Sequence, residues 1–424
     1  ASGSTVTITG LTGSQTADTD NLAIASTSNM LGAAGQWIQS LGQLVLTVAS
    51  GGTKAGLPYS VTFGLTNSAT DQMSPSVSIG ATILGESGET AGSCTMVDMD
   101  KPGTALYGVP HGADPLTVVV PRFNALSIGQ STPASDATNT LTVTLTANYD
   151  LASGSTVTIS GLTGSQTLDT STLQVTSTLD RFGTRGVWTQ SSGQLVLTTA
   201  AGGTVSGTAY RASFSLMNPA NAQTSPSVNV EVDIEYEGTR LGTIAQSAMT
   251  KPGTALFGIA DGADPLTVVV PEFLIKSIQQ STPVSSAINT LTITLIANYN
   301  LASRSRVTIS GLTGSMTSDS ASLPVSSTSG SLGTTGTWTK GSGQLVLLAA
   351  SGGMAAGTAC EVTLGLNNPS TPQASPSVTV AAVIEDGSDN TVGAIAESAM
   401  TKPGSALYGI NNGTDPLRVE VPEF

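Results

Sequence analysis

Charged side chains are scarce in this chain: Asp, Glu, Lys and Arg make up 10% of its 424 residues, where globular chains carry about 25%. Aromatic residues contribute only 4%, so the 39% hydrophobic content is mostly Ala, Val, Leu and Ile. The formal net charge is −14 and no Lys/Arg cluster occurs, which argues against nucleic acid and anionic membrane surfaces as partners. No apolar run approaches the ~20 residues of a membrane span, so membrane insertion is not expected.

Histidine and cysteine are too rare for the common catalytic and metal-binding arrangements. The single histidine, His111, and the two cysteines, Cys94 and Cys360, lie at non-equivalent positions, which excludes zinc clusters and Cys–His nucleophilic pairs. We expect His111 to be a solvated loop residue and the cysteines to be small buried side chains, with an intermolecular disulfide as the alternative. No phosphate-cradling glycine motif occurs, so we expect neither a cofactor nor an enzymatic activity.

What the chain does contain is one unit repeated three times, with a period of about 150 residues. The stretch ASGSTVTITGLTGSQT at Ala1 returns as ASGSTVTISGLTGSQT at Ala152 and as ASRSRVTISGLTGSMT at Ala302. A single tryptophan, a KPG motif and a closing phenylalanine recur in step, at Trp37, Trp188 and Trp338, at Lys101, Lys251 and Lys402, and at Phe123, Phe273 and Phe424.

Alternation of apolar and polar residues within each repeat predicts short β-strands. In the middle copy it runs through TLTVTLTANY from Thr140, STVTIS from Ser155, YRASFSL from Tyr210 and LTVVV from Leu266, with Gly- and Pro-rich turns between. Eight to ten such strands in about 150 residues predict an all-β chain, a tandem array of three antiparallel β-sandwich (Ig-like) domains. Each tryptophan is expected to be a core anchor between the sheets, with a carbohydrate-stacking platform as the alternative.

One part of the repeat occurs only twice. A strand-bearing segment stands at 124–151 and again at 274–301, so we predict domains at 1–123, lacking this segment, at 124–273 and at 274–424. If the segment completes the body that follows it, the first body lacks its opening strand; otherwise the last body lacks its closing strand. Either case leaves an open sheet edge, which a longer repeating polypeptide or β-strand addition by a flanking segment would cover. The start at Ala1, with neither Met nor signal peptide, predicts a mature, processed or excised chain.

The remaining candidate site residues have simpler alternatives. Asp261 and Asp264 stand in an oxygen-rich loop that could hold Ca²⁺, but Asx-Pro turn chemistry explains the repeated Asp more simply. The repeated lysines are expected to be solvated or ion-paired, with an intramolecular isopeptide link as the alternative. Asn412 begins the one N-glycosylation sequon, in a predicted loop, and Ser/Thr/Pro stretches could carry O-glycans.

The ANYDLASGSTVTISGLTGSQT stretch, together with KPGTALYG, resembles the tandem units of very long surface repeat proteins predicted in algae and other protists. This resemblance covers all three repeats and implies location and architecture. The array is also similar in architecture to the Ig-like arrays of bacterial adhesins and pili, a likeness of fold.

These patterns predict an extracellular or cell-surface structural protein whose partners are other copies or a continuing repeat chain, and possibly glycans. Near-identical copies favour a filament or surface appendage, because equivalent surfaces can make the same contact repeatedly. The alternative is a multivalent adhesin or carbohydrate-binding array that gains avidity from repeated weak sites.

Overall fold

The computed structural model describes residues 1–423 as strands joined by turns and loops, so the closing Phe424 of the third copy lies outside the described residues. Helical geometry in this range is confined to 3-10 turns of three residues, at Thr27–Asn29, Gln39–Leu41, Thr178–Asp180 and Thr328–Gly330. Within residues 1–423 no helix has the length and apolarity needed to cross a membrane.

Three antiparallel sheets follow one another along the chain. The first contains β1 (Thr5–Thr9), β2 (Thr19–Ser26), β3 (Ala34–Ile38), β4 (Gln43–Thr47), β5 (Val61–Phe63), β6 (Ser78–Leu84) and β7 (Thr90–Asp98). The second contains β8 (Phe123–Gln130), β9 (Thr138–Ala147), β10 (Thr156–Ser160), β11 (Thr170–Ser177), β12 (Arg185–Thr189), β13 (Gln194–Thr198), β14 (Tyr210–Met217), β15 (Asn229–Tyr236) and β16 (Thr239–Ala248). The third contains β17 (Phe273–Gln280), β18 (Ile288–Ala297), β19 (Arg306–Ser310), β20 (Ser320–Ser327), β21 (Thr335–Thr339), β22 (Gln344–Leu348), β23 (Cys360–Asn367), β24 (Thr379–Glu385) and β25 (Thr391–Ala399).

The second sheet shows how each sandwich is built. Its strand order is β16-β15-β10-β13-β12-β11-β14-β9-β8. β11 pairs with β12 from Thr170 to Gln174, with a register shift between Thr170 and Leu173, and its last three residues, Val175–Ser177, pair with β14. A strand that changes partners in this way joins the two layers of a sandwich. The chain is a tandem array of antiparallel β-sandwiches of the Ig-like type, as the alternation of its residues predicts.

Alternation along β9 places its apolar side chains in the core between the layers. Leu141, Val143 and Leu145 are at most 3% exposed, whereas the alternating threonines point outward, and two of them, Thr140 and Thr142, pair with the hydroxyls of Ser215 and Ser213 on β14. Threonine suits this outer face because its β-branch favours extended backbone and its hydroxyl remains hydrated. The sheet surface is therefore polar while carrying little charge.

Two strand predictions need correction. The LTVVV stretch from Leu266 forms no extended strand; Val268 and Val269 make isolated bridges, Val268 to Gln223 and Val269 to Ala134. The segment that occurs twice contains two strands, β8 and β9, where the alternation of TLTVTLTANY predicts only the second. The first of them, in FNALSIGQ, lacks strict alternation, because a register shift between Phe123 and Ala125 interrupts its pairing with β9.

Candidate interaction surface on the first repeat

The first sheet ends where the other two continue. Its order is β5-β2-β3-β4-β1-β6-β7, so β5 is an edge strand, whereas the equivalent strands β14 and β23 are each followed by two more. In the second repeat β14 pairs along its whole length with β9, from Tyr210 opposite Leu145 to Met217 opposite Thr138. The backbone of β5 therefore presents the unpaired edge that accepts a strand in β-strand addition.

Apolar side chains along this edge form the wall of an open groove. In the second repeat Tyr210, Ala212, Phe214 and Leu216 are at most 6% exposed beneath β9. Their counterparts in the first repeat are only partly buried against its core: Tyr59, Val61, Phe63 and Leu65. The residue types suit a core, and among residues 1–423 no strand covers them as β9 covers their counterparts in the second repeat.

The inner face of β6 and β7 forms the floor of the same groove. Ile83 is 39% exposed, whereas the corresponding Ile234 is 1% exposed. Met99 is 41% exposed and its counterpart Met249 is 5% exposed. Cys94, opposite Ala81 in the register, occupies the position of the buried Ile244 opposite Val232.

The expectation that both cysteines are buried is therefore wrong for Cys94, which is an exposed free thiol, while Cys360 is a buried one. The position of Cys94 belongs to the core in the other two repeats, but in the first repeat no strand pair among residues 1–423 covers it. The sequence shows this position only after the three copies are aligned and the strand segments are counted.

A buried asparagine pair fixes the strand segment in the repeats that have it. The side-chain amide of Asn139 on β9 donates to Asn218 Oδ1 at 2.9 Å and to Gln130 Oε1 at 2.7 Å. Asn218 in turn donates to the carbonyls of Thr132 and Ala134. Both asparagines are fully buried, so their hydrogen bonds are made in a low dielectric, where an unpaired amide is costly.

The third repeat contains the same network. Asn289 donates to Gln280 Oε1 and to Asn368 Oδ1, and Asn368 donates to the carbonyls of Thr282 and Val284. We call this arrangement the asparagine latch. In the first repeat Asn67 corresponds to Asn218 and Asn368, and it is exposed. The residues that would face it have no third copy among the 424 residues.

A cleft lies beside Asn67. In the other repeats the corresponding place is occupied by the loop between the two strands of the segment, which in the second repeat contains Thr132 and Ala134. The volume of the cleft is about 200 Å³, and Thr117 Oγ1 on its wall is buried without a hydrogen-bond partner among residues 1–423. The residues that line it come from the first repeat and from Tyr149 of the second: Asn67, Tyr107, Thr117, Val118, Val119 and Tyr149 are among them. In the second repeat, the backbone of Val269, which corresponds to Val119, bonds to Pro133 and Ser135.

Neighbouring repeats meet through a contact that occurs twice. The ring of Tyr107 stacks on Tyr149 at 5.5 Å, and the ring of Phe257 stacks on Tyr299 at 5.3 Å. At the second junction the loop after β8 adds a cover: Thr132 Oγ1 donates to the carbonyl of Val392 at 2.7 Å and contacts the hydroxyl of Tyr299. The first junction lacks this loop.

Burial at the junctions also changes the acidity of the two tyrosines. Desolvation raises the pKa of Tyr149 to about 12, with Tyr107 and Asp150 adding to the effect. Desolvation raises the pKa of Tyr299 well above its usual range, and the hydrogen bond between Tyr299 and Thr132 opposes the shift. Tyr299 is fully buried and Tyr149 is half-buried, which follows from the loop that covers only the second junction.

The three tryptophans lie inside the sandwiches. Trp37, Trp188 and Trp338 are each 1% exposed, and their indole N–H groups donate to the carbonyls of Thr16, Thr167 and Thr317. A ring in this position is not available for stacking on a sugar.

The candidate calcium ligands take part in a repeated turn. Asp264 Oδ1 accepts a hydrogen bond from the backbone N–H of Gly253 at 2.7 Å, and Asp114 and Asp415 accept equivalent bonds from Gly103 and Gly404. Asp261 is exposed with a left-handed backbone, φ 52°. No group of three or more His, Cys, Asp or Glu side chains suited to a metal ion occurs among residues 1–423.

Other singled-out residues occupy loops. The side chain of His111 is 70% exposed, with its ring 3.5 Å from Asp114. The repeated lysines differ from the expectation of solvation or ion pairing: each half-buried ammonium donates to a serine carbonyl, Lys101 to Ser74, Lys251 to Ser225 and Lys402 to Ser375. Asn412 is exposed in a loop, φ 56°.

Among known proteins, no family model and no curated sequence matches the chain. Similar solved structures include a serine-rich repeat protein of Streptococcus agalactiae, with TM-score 0.19 and 9% identity over 68% of this chain and 96% of that chain. The collagen adhesin of S. aureus aligns with TM-score 0.19 and 8% identity over 65% and 93% of the two chains. The major pilin SpaD of Corynebacterium diphtheriae aligns with TM-score 0.22 and 10% identity over 100% and 92%. The strand topology described above, not these superpositions, defines the fold.

Proposed function

We propose that the chain is a structural protomer of an extracellular filament or surface appendage, without enzymatic activity. Its sandwich domains, which we place at 1–123, 124–273 and 274–424, follow one another head to tail. Strand complementation by a neighbouring molecule, or continuation of the repeat chain, completes the first domain. The observation that carries this proposal is the seven-stranded first sheet, with an apolar open edge, beside two nine-stranded sheets.

The repeated junction supports the same function. Two near-identical aromatic contacts between successive repeats are the kind of head-to-tail contact that extends without closing, which builds rods and fibres. The sparse surface charge also favours a protein covered by assembly or by glycans, with Asn412 as a candidate acceptor. A cell-surface location agrees with the resemblance to surface repeat proteins.

The alternative, an adhesin or carbohydrate-binding array, needs an exposed aromatic platform in each repeat. The three tryptophans are buried, and Tyr107 and Phe257 stack within the junctions. We therefore favour assembly over sugar binding, and a glycan array is the direct comparison between the two.

Electron microscopy of negatively stained native material tests the proposal. Rods or fibrils are expected, and uniform particles of monomer mass would overturn it. Denaturing electrophoresis of the same material separates a segment supplied by a neighbour from a continuous repeat chain, since the former gives a band near 42.3 kDa and the latter a larger one.

A further inference from the structure

We propose that the first repeat is a binding site for one kind of peptide, a two-strand segment of the type of residues 123–151, recognised through Asn67. This inference rests on the proposed function and names the ligand of its open sheet. The equivalent grooves of the second and third repeats show what the ligand must contain, since residues 123–151 and 273–301 fill them.

The first requirement is a pair of strands with apolar residues at every second position of the inner strand. In the second repeat Leu141, Val143 and Leu145 fill the space between the two layers, while β8 extends the sheet beyond β9. A second copy that paired through β5 alone would satisfy the backbone edge of this strand. It would leave the floor at Ile83, Cys94 and Met99 in water, so edge-to-edge pairing of two copies is not the occupant that we infer.

The second requirement is an asparagine in the inner strand, nine residues after a glutamine in the outer strand. In the second repeat these are Asn139 and Gln130, and their amides form the latch with Asn218. Gln130 also accepts from the backbone N–H of Leu266 and donates to the carbonyls of Gly262 and Thr267. Asn67 and the backbone around Leu116 are the corresponding groups of the first repeat. An apolar strand without this asparagine would leave Asn67 unpaired, which makes the latch a specificity device.

The third requirement is a loop between the strands that enters the cleft beside Asn67. In the second repeat Thr132 and Ala134 occupy this place, and Ala134 lies so close to Gly393 of the third repeat that a Cβ on that glycine would come within 2.6 Å of it. Gly242, the counterpart of Gly393, has nothing near its Cβ position. Its neighbour Leu241 is 43% exposed, whereas the equivalent Val392 is 8% exposed.

The loop of the ligand would therefore contact the second repeat as well as the first. It would cover Tyr149 and Leu241 as Thr132 and Ala134 cover Tyr299 and Val392. Binding of the segment thus completes the first sandwich and closes the first junction in the same event, so a bound end is stiffer than a free one.

Cys94 gives a direct readout of this binding, because it is an exposed thiol on the groove floor. The full chain is titrated with a synthetic peptide of residues 123–151, and the rate of maleimide labelling at Cys94 is followed by mass spectrometry. Cys360 is the internal reference, since it is buried and burial raises the pKa of its thiol. We expect saturating peptide to slow labelling of Cys94 by at least about tenfold, as protection by a bound strand requires.

The latch is tested with the same readout. The peptide change Asn139→Leu, or Asn67→Leu in the protein, should each weaken binding by about tenfold or more, because one buried amide loses its partner. Combining the two changes should restore part of the affinity, since an apolar pair leaves no amide unpaired. A peptide of the same composition in scrambled order is the control for non-specific burial.

Two results would overturn the inference: no protection by the peptide, or equal protection by the Asn139→Leu peptide. Fibrils of native material in which Cys94 labels freely would also overturn it while leaving the filament intact. Peptide protection together with monodisperse native particles would support the binding site and reject the filament.

Discussion

At the scale of the residue, the three repeats act as controls for one another. Asparagines at equivalent positions are fully buried in the latch at Asn218 and Asn368 but exposed at Asn67. The contribution of this asparagine to the free energy of unfolding therefore depends on whether a strand segment faces it. Comparing substitutions at these positions measures the latch without altering the type of residue replaced.

We expect Asn218→Ala to lower the free energy of unfolding of the second repeat by about 3 kcal/mol, because it removes one of the two acceptors of the Asn139 amide and leaves the two buried carbonyls of Thr132 and Ala134 unpaired. Asn67→Ala should change the stability of the first repeat by less than about 0.5 kcal/mol, as is usual for an exposed position. Hydrogen exchange followed by mass spectrometry resolves each repeat in the intact chain. Equal effects at the two positions would contradict the assignment of Asn67 as a latch without its partner.

The junction tyrosine predicts a pH dependence. Because burial raises the pKa of Tyr149 from 10.0 to about 12, the folded protein holds this proton more tightly than the unfolded chain does. The resulting stability is fully present below pH 10 and is lost as the pH rises towards about 12. Tyr149→Phe should therefore flatten the fall in urea midpoint of the second repeat between pH 9 and about 11.5. Tyr408→Phe, at a side chain that is 75% exposed, is the matched control, and an equal flattening there would refute the explanation.

At the scale of the element, the contrast lies between strands of similar sequence in different surroundings. Phe214 on β14 is 2% exposed beneath β9, while Phe63 on β5 is partly exposed at an open edge. An identical residue thus belongs to a closed core in one repeat and to a groove wall in another. Edge position alone accounts for the difference.

Phe214→Ala should destabilise the second repeat by about 3–5 kcal/mol, the range for a fully buried phenylalanine. Phe63→Ala should cost the first repeat less than half as much, since little of a cavity is created where the side chain already contacts water. Amide exchange in β13 and β4 reports the two effects. When the peptide of residues 123–151 is bound, the cost at Phe63 should approach that at Phe214.

The elements also show how far sequence reasoning reaches. Alternation in strands such as β9 and β14 is strong enough to predict the sandwich and its repeat. Counting copies of the segment at 124–151 predicts an incomplete sandwich, and the sheet orders place the gap in the first repeat. The alternation of residues does not predict strand β8, because a register shift interrupts its pairing with β9. The exposure of Cys94 differs from the prediction because the burial of this position depends on a strand pair outside its own hairpin.

At the scale of the whole molecule, the described residues form one incomplete and two complete sandwiches joined by repeated contacts. We expect the first repeat to be the least stable and to open most readily. Its groove removes apolar area from the core, and its edge strand β5 has one neighbouring strand instead of two. Under the proposed function the same opening is the surface at which units join, so that one feature of the chain would govern both stability and assembly.

A self-completed variant tests this link between closure and assembly. Leu301 precedes Ala302 directly, so a copy of residues 273–301 fused ahead of Ala1 reproduces the native connection and supplies the missing strands in the same chain. We expect the fused segment to fill the groove, to raise the unfolding free energy of the first repeat and to slow maleimide labelling of Cys94. Because the groove is then filled, the variant should neither bind the 123–151 peptide nor join filaments. The fusion carrying Asn289→Leu in the added copy is the control, since it keeps the strands but breaks the latch. If the intact fusion still labelled rapidly at Cys94 while both variants remained folded, the groove would not be the site that the segment fills.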